Sequence, residues 1–345
     1  MPHRCLARVV VLTVPIAIVW LATRSVAGQA RPAAARTNSA AAKPYAPPRT
    51  PDGQPDLQGF WTNSTYTSLE RPNNVTKEFY TQEEAVANEK RAADREGEQT
   101  APGTVADVHY DFTQFGLDRN QSPFARNLRT SLIVDPPNGK LPPLTAEGQR
   151  TAAARAEAAK RVGRWDSAES NQLDDRCLIM EGAGPPMMNA AYNANYHVVQ
   201  APRQVMILTE MIHDARVIPL DGRPQPHANV RQWMGISRGR WEGDTLVVET
   251  TNFNGKNSFR GSTEHMRVTE RFTRVADDTI LYNFTVEDQS MWTRPWTAEM
   301  PMKRTVGPLF EHACHEGNYG LYNTLVGARA EEKRAAEAAA KKGSK

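Results

Sequence analysis

The chain has 345 residues, of which 39% are hydrophobic and 23% charged, so it is long enough for one large domain or two small ones. Its formal net charge of +3 comes from three arginines in residues 1–30, which contain no acidic residue. The rest of the chain is balanced in charge, which gives no electrostatic reason to expect nucleic acid as a partner. Only one long apolar run is present, which excludes a protein with several membrane spans.

Residues 1–30 have the pattern of a secretory signal peptide. Two arginines form a positive n-region, the apolar run Val9–Thr23 follows, and small residues precede cleavage sites after Ala27 or Ala30. The run is shorter than the roughly 20 residues of a spanning helix and contains a proline. We therefore expect a periplasmic or secreted protein with no stable membrane span after cleavage; an uncleaved anchor is the alternative.

The cysteines predict one disulfide bond. Cys5 lies in the n-region of the signal peptide and leaves with it, so Cys177 and Cys314 remain. Two thiols in an oxidising compartment favour a Cys177–Cys314 disulfide. The alternative is a cysteine that acts as a nucleophile or ligand beside His315.

The composition of the flanking segments indicates a single folded domain. Residues 31–50 are rich in Ala, Pro and basic residues, which predicts a flexible linker. Residues 329–345 contain good helix formers but almost no apolar face, which predicts a solvated, charged tail. A β-rich domain is therefore expected over residues 51–328, with helical additions in its N-terminal half.

Two helices are predicted in that first half. Thr81 and Glu84 have the spacing of a capping box ahead of a run of helix formers. A second helix is predicted over Thr145–Val162, where the apolar stripe is mostly alanine. Such a stripe predicts a helix that lies shallowly on a surface.

From about Tyr196 onwards the pattern changes to strands. The strand runs cover residues 196–201, 204–220, 245–250, 266–275, 278–288 and 292–305. In the run 278–288, apolar and polar side chains alternate, as they do in a half-buried strand. Successive hairpins without intervening helices predict an antiparallel barrel or sandwich with peripheral helices. A barrel is favoured, with a lipocalin-like barrel as one form.

The densest cluster of chemically active side chains lies between Glu210 and Arg216. If this segment is extended, Glu210, Asp214 and Arg216 project to one face and His213 to the other. A carboxylate there would serve as acid or base, and Arg216 would bind an anionic or oxyanion group. The alternative is an internal ion-pair cluster with a buried histidine.

A second cluster runs from His312 to Asn318. On a helix, His312 and His315 would share a metal, with Glu316 nearby. No third ligand follows at a diagnostic spacing, so a metal is not favoured and no cofactor is expected. The alternative is that His315 or Glu316 lines a pocket.

Arginine and tryptophan occur together in two further segments. Arg231 and Trp233 form one pair, and Arg240 and Trp241 form the other. Tryptophan would supply an apolar wall for a ligand ring, and arginine would stack on it. The alternative is that these residues anchor the ends of a barrel.

Four long motifs resemble those of a large group of uncharacterised exported proteins from environmental bacteria. The motifs are Thr50–Trp61, Met211–Gly222, Gly239–Thr250 and Ala313–Asn318. The resemblance spans about residues 50–332 and implies export and one continuous domain. It transfers no catalytic role, and an aromatic residue is associated with the position that His312 occupies here.

Two functions therefore compete. The favoured one is an exported enzyme, a hydrolase or lyase that acts on a small molecule without an organic cofactor. Its candidate catalytic residues are Glu210, His213, Asp214, Arg216, His315 and Glu316. The other is a lipocalin-like periplasmic binding protein for an apolar or aromatic ligand, with a structural role in the envelope as a third alternative. The candidate ligand-binding residues of such a binding protein are Arg231, Trp233, Arg240, Trp241 and Asn318.

Overall fold

The computed structural model places one compact unit that begins at Tyr45. It describes residues 45–96, 125–180, 183–188, 194–256 and 259–343. The expected signal peptide and most of the expected linker lie outside these residues. The last part of that linker contacts the domain, since the Tyr45 hydroxyl donates to the Asp277 carboxylate at 3.0 Å. Among the helices that are described, none combines the length and apolar character needed to cross a bilayer.

Ten strands form one antiparallel sheet that curls into a nearly closed barrel. They are β1 Gly59–Thr62, β2 Ile133–Asp135, β3 Asn195–Ala201, β4 Gln204–Thr209, β5 Ala215–Pro219, β6 Ile236–Glu242, β7 Thr245–Thr251, β8 Arg267–Ala276, β9 Thr279–Glu287 and β10 Trp296–Arg304. Nine strands follow the order β5-β4-β3-β1-β10-β9-β8-β7-β6, and β2 pairs with β10 beside this path. The predicted antiparallel, β-rich barrel with peripheral helices is confirmed.

The barrel closes where its two end strands, β5 and β6, approach each other. Gly239 of β6 makes this approach close, because a Cβ atom there would lie 2.6 Å from Leu220 and 2.8 Å from Ile218. Side chains at the end of β5 therefore rest directly on the backbone of β6. The closure depends on packing, since the described hydrogen-bonded ladder ends at these two strands.

The strands from β6 to β10 form a meander, and the alternation predicted for residues 278–288 is present in β9. β6 lies outside the predicted strand runs. Ile280, Tyr282, Phe284 and Val286 of β9 are at most 1% exposed, while their neighbours along the strand are only partly buried. Two-residue turns join β6 to β7 and β8 to β9. The predicted hairpin across Pro202-Arg203 is also confirmed, as β3 and β4 pair from Tyr196↔Thr209 to Ala201↔Gln204.

The predicted continuous strand over residues 204–220 is wrong. The chain leaves β4 at Thr209, makes a single helical turn over Met211–His213, and enters β5 at Ala215. Ile212 and His213 adopt positive φ angles of 61° and 47°, a conformation that usually marks glycine or asparagine. Residues 210–214 contain neither glycine nor asparagine, so the sequence carries no signal for this turn.

Large side chains fill the barrel. The fully buried ones include Trp61, Tyr196, Phe253, Tyr282, Phe284 and Trp296. The Phe284 and Trp296 rings meet edge to face with their centroids 5.8 Å apart. Burying a large apolar side chain stabilises a fold by about 1.5–3 kcal/mol, so this cluster is a main source of stability.

Three helices lie around the barrel: α1 Gln82–Glu96, α2 Ala146–Arg161 and α3 Tyr319–Gly343. The predicted capping box of α1 is present, because the Thr81 amide donates to Glu84 at 2.8 Å and the Glu84 amide to Thr81 Oγ1 at 3.3 Å. α2 begins as predicted, with the Gly148 amide donating to Thr145 Oγ1 at 2.9 Å. α3 begins ten residues before the expected tail and runs through it.

Candidate functional site

Two motifs that are distant in the sequence meet at one corner of the barrel. Glu210 begins the turn after β4 and is only 4% exposed. Its carboxylate accepts a hydrogen bond from the Phe310 amide at 3.2 Å and one from Asn195 Nδ2 at 2.6 Å. The Nδ1 atom of His213 lies 3.0 Å from the carbonyl oxygen of His312. We call the group formed by Glu210, His213, Asp214 and the backbone of 310–312 the corner site.

A disulfide bond and an asparagine hold the second of these segments in place. The predicted Cys177–Cys314 bond is confirmed, with the two Cα atoms 5.7 Å apart. Asn318 Nδ2 donates to the Asp175 carbonyl at 2.9 Å, and its Oδ1 accepts from the Leu321 amide at 3.2 Å, at the start of α3. Because both sulfurs are in the bond, neither cysteine is available here as a nucleophile.

The partner of His213 determines the chemistry of its ring. A carbonyl oxygen can only accept a hydrogen bond, so Nδ1 must carry the proton in the contact with His312. The neutral imidazole then has its lone pair on Nε2. Nε2 makes no hydrogen bond to the part of the chain that the structure describes, and the side chain is exposed. An oriented ring with a free Nε2 is what a general base requires.

Asp214 places a half-buried carboxyl next to this ring. Burial raises the pKa of Asp214 above its usual value, and the neighbouring His213 partly offsets the effect. The preceding residues, Ile212 and His213, have positive φ angles, which cost about 1–3 kcal/mol each in residues other than glycine. The buried side chains of Met211 and Ile212 hold this strained turn.

Arg216 lies inside the barrel, apart from the corner site. Its guanidinium makes two hydrogen bonds to Glu270 of β8, at 2.7 Å and 3.1 Å, and both side chains are almost completely buried. The Tyr282 hydroxyl donates to the same carboxylate at 2.8 Å. Burial, reinforced by the Glu270 charge, raises the pKa of Tyr282, so its hydroxyl stays protonated and can donate. Arg216 thus forms the internal ion pair that was the alternative to an anion site.

A short segment, Ala183–Met188, covers this interior cluster. All six residues are buried. The Met187 amide donates to the Tyr282 hydroxyl at 2.8 Å, and the Met187 carbonyl accepts from Asn63 Nδ2 at 3.2 Å. Polar groups inside the barrel therefore satisfy the backbone of this segment.

His315 and Glu316 are not joined to the corner site. Both side chains are exposed in the turn before α3, and within the described chain neither contacts Glu210, His213 or Asp214 through a hydrogen bond or ion pair. The described residues also contain no group of three or more His, Cys, Asp or Glu arranged to hold a metal.

The arginine and tryptophan pairs lie elsewhere. Arg240 is exposed on the outside of the barrel and pairs with Glu242 and Glu249. Trp241 packs against the core, and Trp233 is half-buried. Arg231 is exposed, donates to the Ala228 carbonyl at 3.1 Å and lies 3.6 Å from Glu264. These residues do not form a shared wall around the corner site.

The structure also contains a cavity that the sequence did not indicate. It has a volume of about 570 Å³ and lies between α1 and the segments 65–72 and 127–130. We call it the α1 cleft. Its walls come from three separate parts of the chain, and the only local signal is the small Ala85 and Ala92 on the inner face of α1.

Comparison with known proteins adds no relative to this picture. The chain matches no family model, no curated protein and no solved structure. The resemblance to exported bacterial proteins stays a prediction from the motifs.

Proposed function

We propose that the chain is an exported enzyme that processes a small molecule by acid–base chemistry, with His213 as the general base. The observation that carries this proposal is the hydrogen bond from His213 Nδ1 to the His312 carbonyl, which leaves Nε2 free and facing solvent. Export enters the proposal through the signal-peptide pattern and agrees with a disulfide between Cys177 and Cys314.

Each residue of the corner site has a separate role. His213 Nε2 takes a proton from a water molecule as the water oxygen attacks the substrate, and the imidazolium returns that proton to the leaving group. In an elimination, Nε2 instead takes the proton from a carbon atom, the C–H electron pair forms the double bond, and the leaving group departs from the adjacent carbon with its bonding electrons. Asp214 stabilises the imidazolium electrostatically. Glu210 is a positioning residue, because it holds the Phe310 amide and with it the segment that carries the His312 carbonyl.

The binding-protein alternative gains little support from the barrel itself. A lipocalin-like protein needs space in the barrel for its ligand, but rings such as Trp61, Tyr282 and Trp296 fill this interior. Arg231 and Arg240, the arginines expected to orient such a ligand, are exposed and pair with Glu264 and with Glu242 and Glu249. No observation favours a structural role in the envelope.

The test uses the full chain, recovered from the periplasm, against p-nitrophenyl esters, glycosides and phosphates, with a separate assay for formation of double bonds. We expect turnover of at least one substrate class. His213→Gln should lower kcat by about 10²–10⁴-fold, with a smaller change in KM.

His265→Gln is the matched control, because His265 is also exposed but lies in the loop before β8. It should leave kcat unchanged. Turnover that survives His213→Gln at the parent rate, or no turnover in any assay, would overturn the proposal.

A further inference from the structure

The α1 cleft has the dimensions of a small-molecule site and is built separately from the corner site. Its volume of about 570 Å³ falls within the roughly 300–1,000 Å³ that such sites occupy. One wall is Thr65–Ser68, which follows β1; another is the inner face of α1; the third is Asn127–Thr130. None of these segments contributes to the corner site.

The cleft exists because α1 presents small side chains inward. Ala85 and Ala92 are buried on that face, only 4% and 9% exposed, and both line the cleft. Larger apolar residues at these positions would fill the space. An ion pair also holds the helix in place, since Arg126 makes a bidentate contact at 2.8–3.2 Å with Glu89, which lines the cleft.

Three of the four charged side chains that line the cleft are in ion pairs, and the fourth, Arg91, is exposed and donates a hydrogen bond to Asn88 Oδ1. Glu89 pairs with Arg126, and Arg129 pairs with Glu78 at 2.8 Å. Asp94 pairs with Lys90 in the same helix, again at 2.8 Å. A charged ligand would have to compete with these pairs, so the electrostatics favour a neutral ligand.

The remaining lining combines aromatic rings with groups that both donate and accept hydrogen bonds. Tyr66 and Tyr80 supply the rings. The Tyr80 hydroxyl and the Asn127 side-chain NH₂ have no hydrogen-bond partner in the part of the chain that is described. Glu89 retains lone pairs that can accept, even in its pair with Arg126.

We propose that the α1 cleft binds a neutral carbohydrate of one or two rings. The C–H face of a sugar ring packs on tyrosine. Sugar hydroxyls can donate to Glu89, accept from the Asn127 side-chain NH₂, and do either with the Tyr80 hydroxyl. An uncharged ligand matches this lining, because its two acidic side chains, Glu89 and Asp94, balance its two arginines in charge.

The experiment is a ¹H–¹⁵N NMR titration of the full chain with maltose, cellobiose and N-acetylglucosamine in turn. At least one sugar should cause saturable shifts in residues 65–68, 82–96 and 127–130. Ala85→Leu, which projects a larger side chain into the cleft, should weaken this binding at least about tenfold. Ala87→Leu is the matched control, because it makes the same change on the exposed side of α1 and should bind as the parent does.

If Ala85→Leu does not fold, Tyr80→Phe replaces it, since it removes only the hydroxyl and should weaken binding severalfold. The proposal is overturned if none of the three sugars causes saturable shifts at the cleft, or if Ala85→Leu binds like the parent. His213→Gln should bind sugar normally, so this result stands or falls independently of the proposed enzymatic activity.

Discussion

The meander β6–β10 and the corner site differ in how they accommodate buried polar groups. In the meander, backbone groups pair in ladders and the one buried carboxylate of β8, Glu270, receives hydrogen bonds from Arg216 and Tyr282. In the corner site, the backbone is strained and the half-buried Asp214 has a raised pKa. Asp214 and Arg216 are two positions apart, yet they belong to these different environments.

This difference separates the residues that stabilise the fold from those that are able to exchange a proton or bind a ligand. A buried group with all its partners contributes stability but cannot easily exchange a proton or bind a ligand. A strained turn with an oriented imidazole and a poorly solvated carboxyl costs stability, which is typical of functional sites.

Removing Glu270 from the meander should lower the free energy of unfolding more than any other substitution considered below. Glu270→Ala leaves the buried Arg216 charge without its partner, and we expect a loss of about 3–5 kcal/mol in the free energy of unfolding, measured by urea denaturation. Glu249→Ala is the control, because Glu249 lies on the outside of β7 and its pair with Arg240 is partly exposed. It should cost no more than about 1 kcal/mol. Equal losses in the two variants would contradict the assignment.

Removing the disulfide should loosen the corner site while leaving the meander folded. Cys177 and Cys314 are 137 positions apart, and replacing both with serine should cost about 2–4 kcal/mol. Amide hydrogen exchange should become faster in residues 310–318, while β8 and β9 keep their protection. Uniformly faster exchange in both regions would show that the bond supports the whole barrel instead.

Asp214→Asn, in the corner site, should have a small effect on the free energy of unfolding, and at pH 7 it should stabilise the fold. Because burial raises the pKa of Asp214, the folded state binds more protons than the unfolded state around that pKa, and stability falls as the pH rises through it. The variant should therefore be more stable than the parent at pH 7, with the difference vanishing below the ordinary Asp pKa of about 3.9. Thermal unfolding at both pH values checks this.

Asp221→Asn provides the control for that measurement. Arg223 lowers the pKa of Asp221 to about 2, so its ionised form favours the folded state, and the variant should be slightly less stable at pH 7. This loss should shrink as the pH falls towards 2. An Asp214→Asn variant that is less stable at pH 7 would mean that the carboxylate has a favourable partner.

Much of the barrel is predictable because its signals are local. Alternation along β9, the Pro202-Arg203 turn and the Thr81–Glu84 capping box each act within a few residues of chain. The sequence does not predict β6, whose burial does not alternate regularly. It also does not predict β1 and β2, because they are four and three residues long and pair only with distant strands. Strands that short carry no periodicity of their own.

The site was recognised by residue type but not by geometry. Glu210 and His213 were singled out, but the positive φ angles of Ile212 and His213 hide a turn inside a strand-like pattern. Glu270 was overlooked, although it interrupts the apolar face of β8 between Val268 and Phe272, which was a usable signal. Its pairing with Arg216, 54 positions away, depends on the closed barrel.

The seam between β5 and β6 has a consequence for self-association. Two strand edges in one barrel would normally offer their free amide and carbonyl groups to strands of other molecules. Here the edges of β5 and β6 shield each other, because the side chains of Ile218 and Leu220 pack closely against the backbone at Gly239. The absence of a side chain at Gly239 should therefore protect the protein from edge-to-edge aggregation.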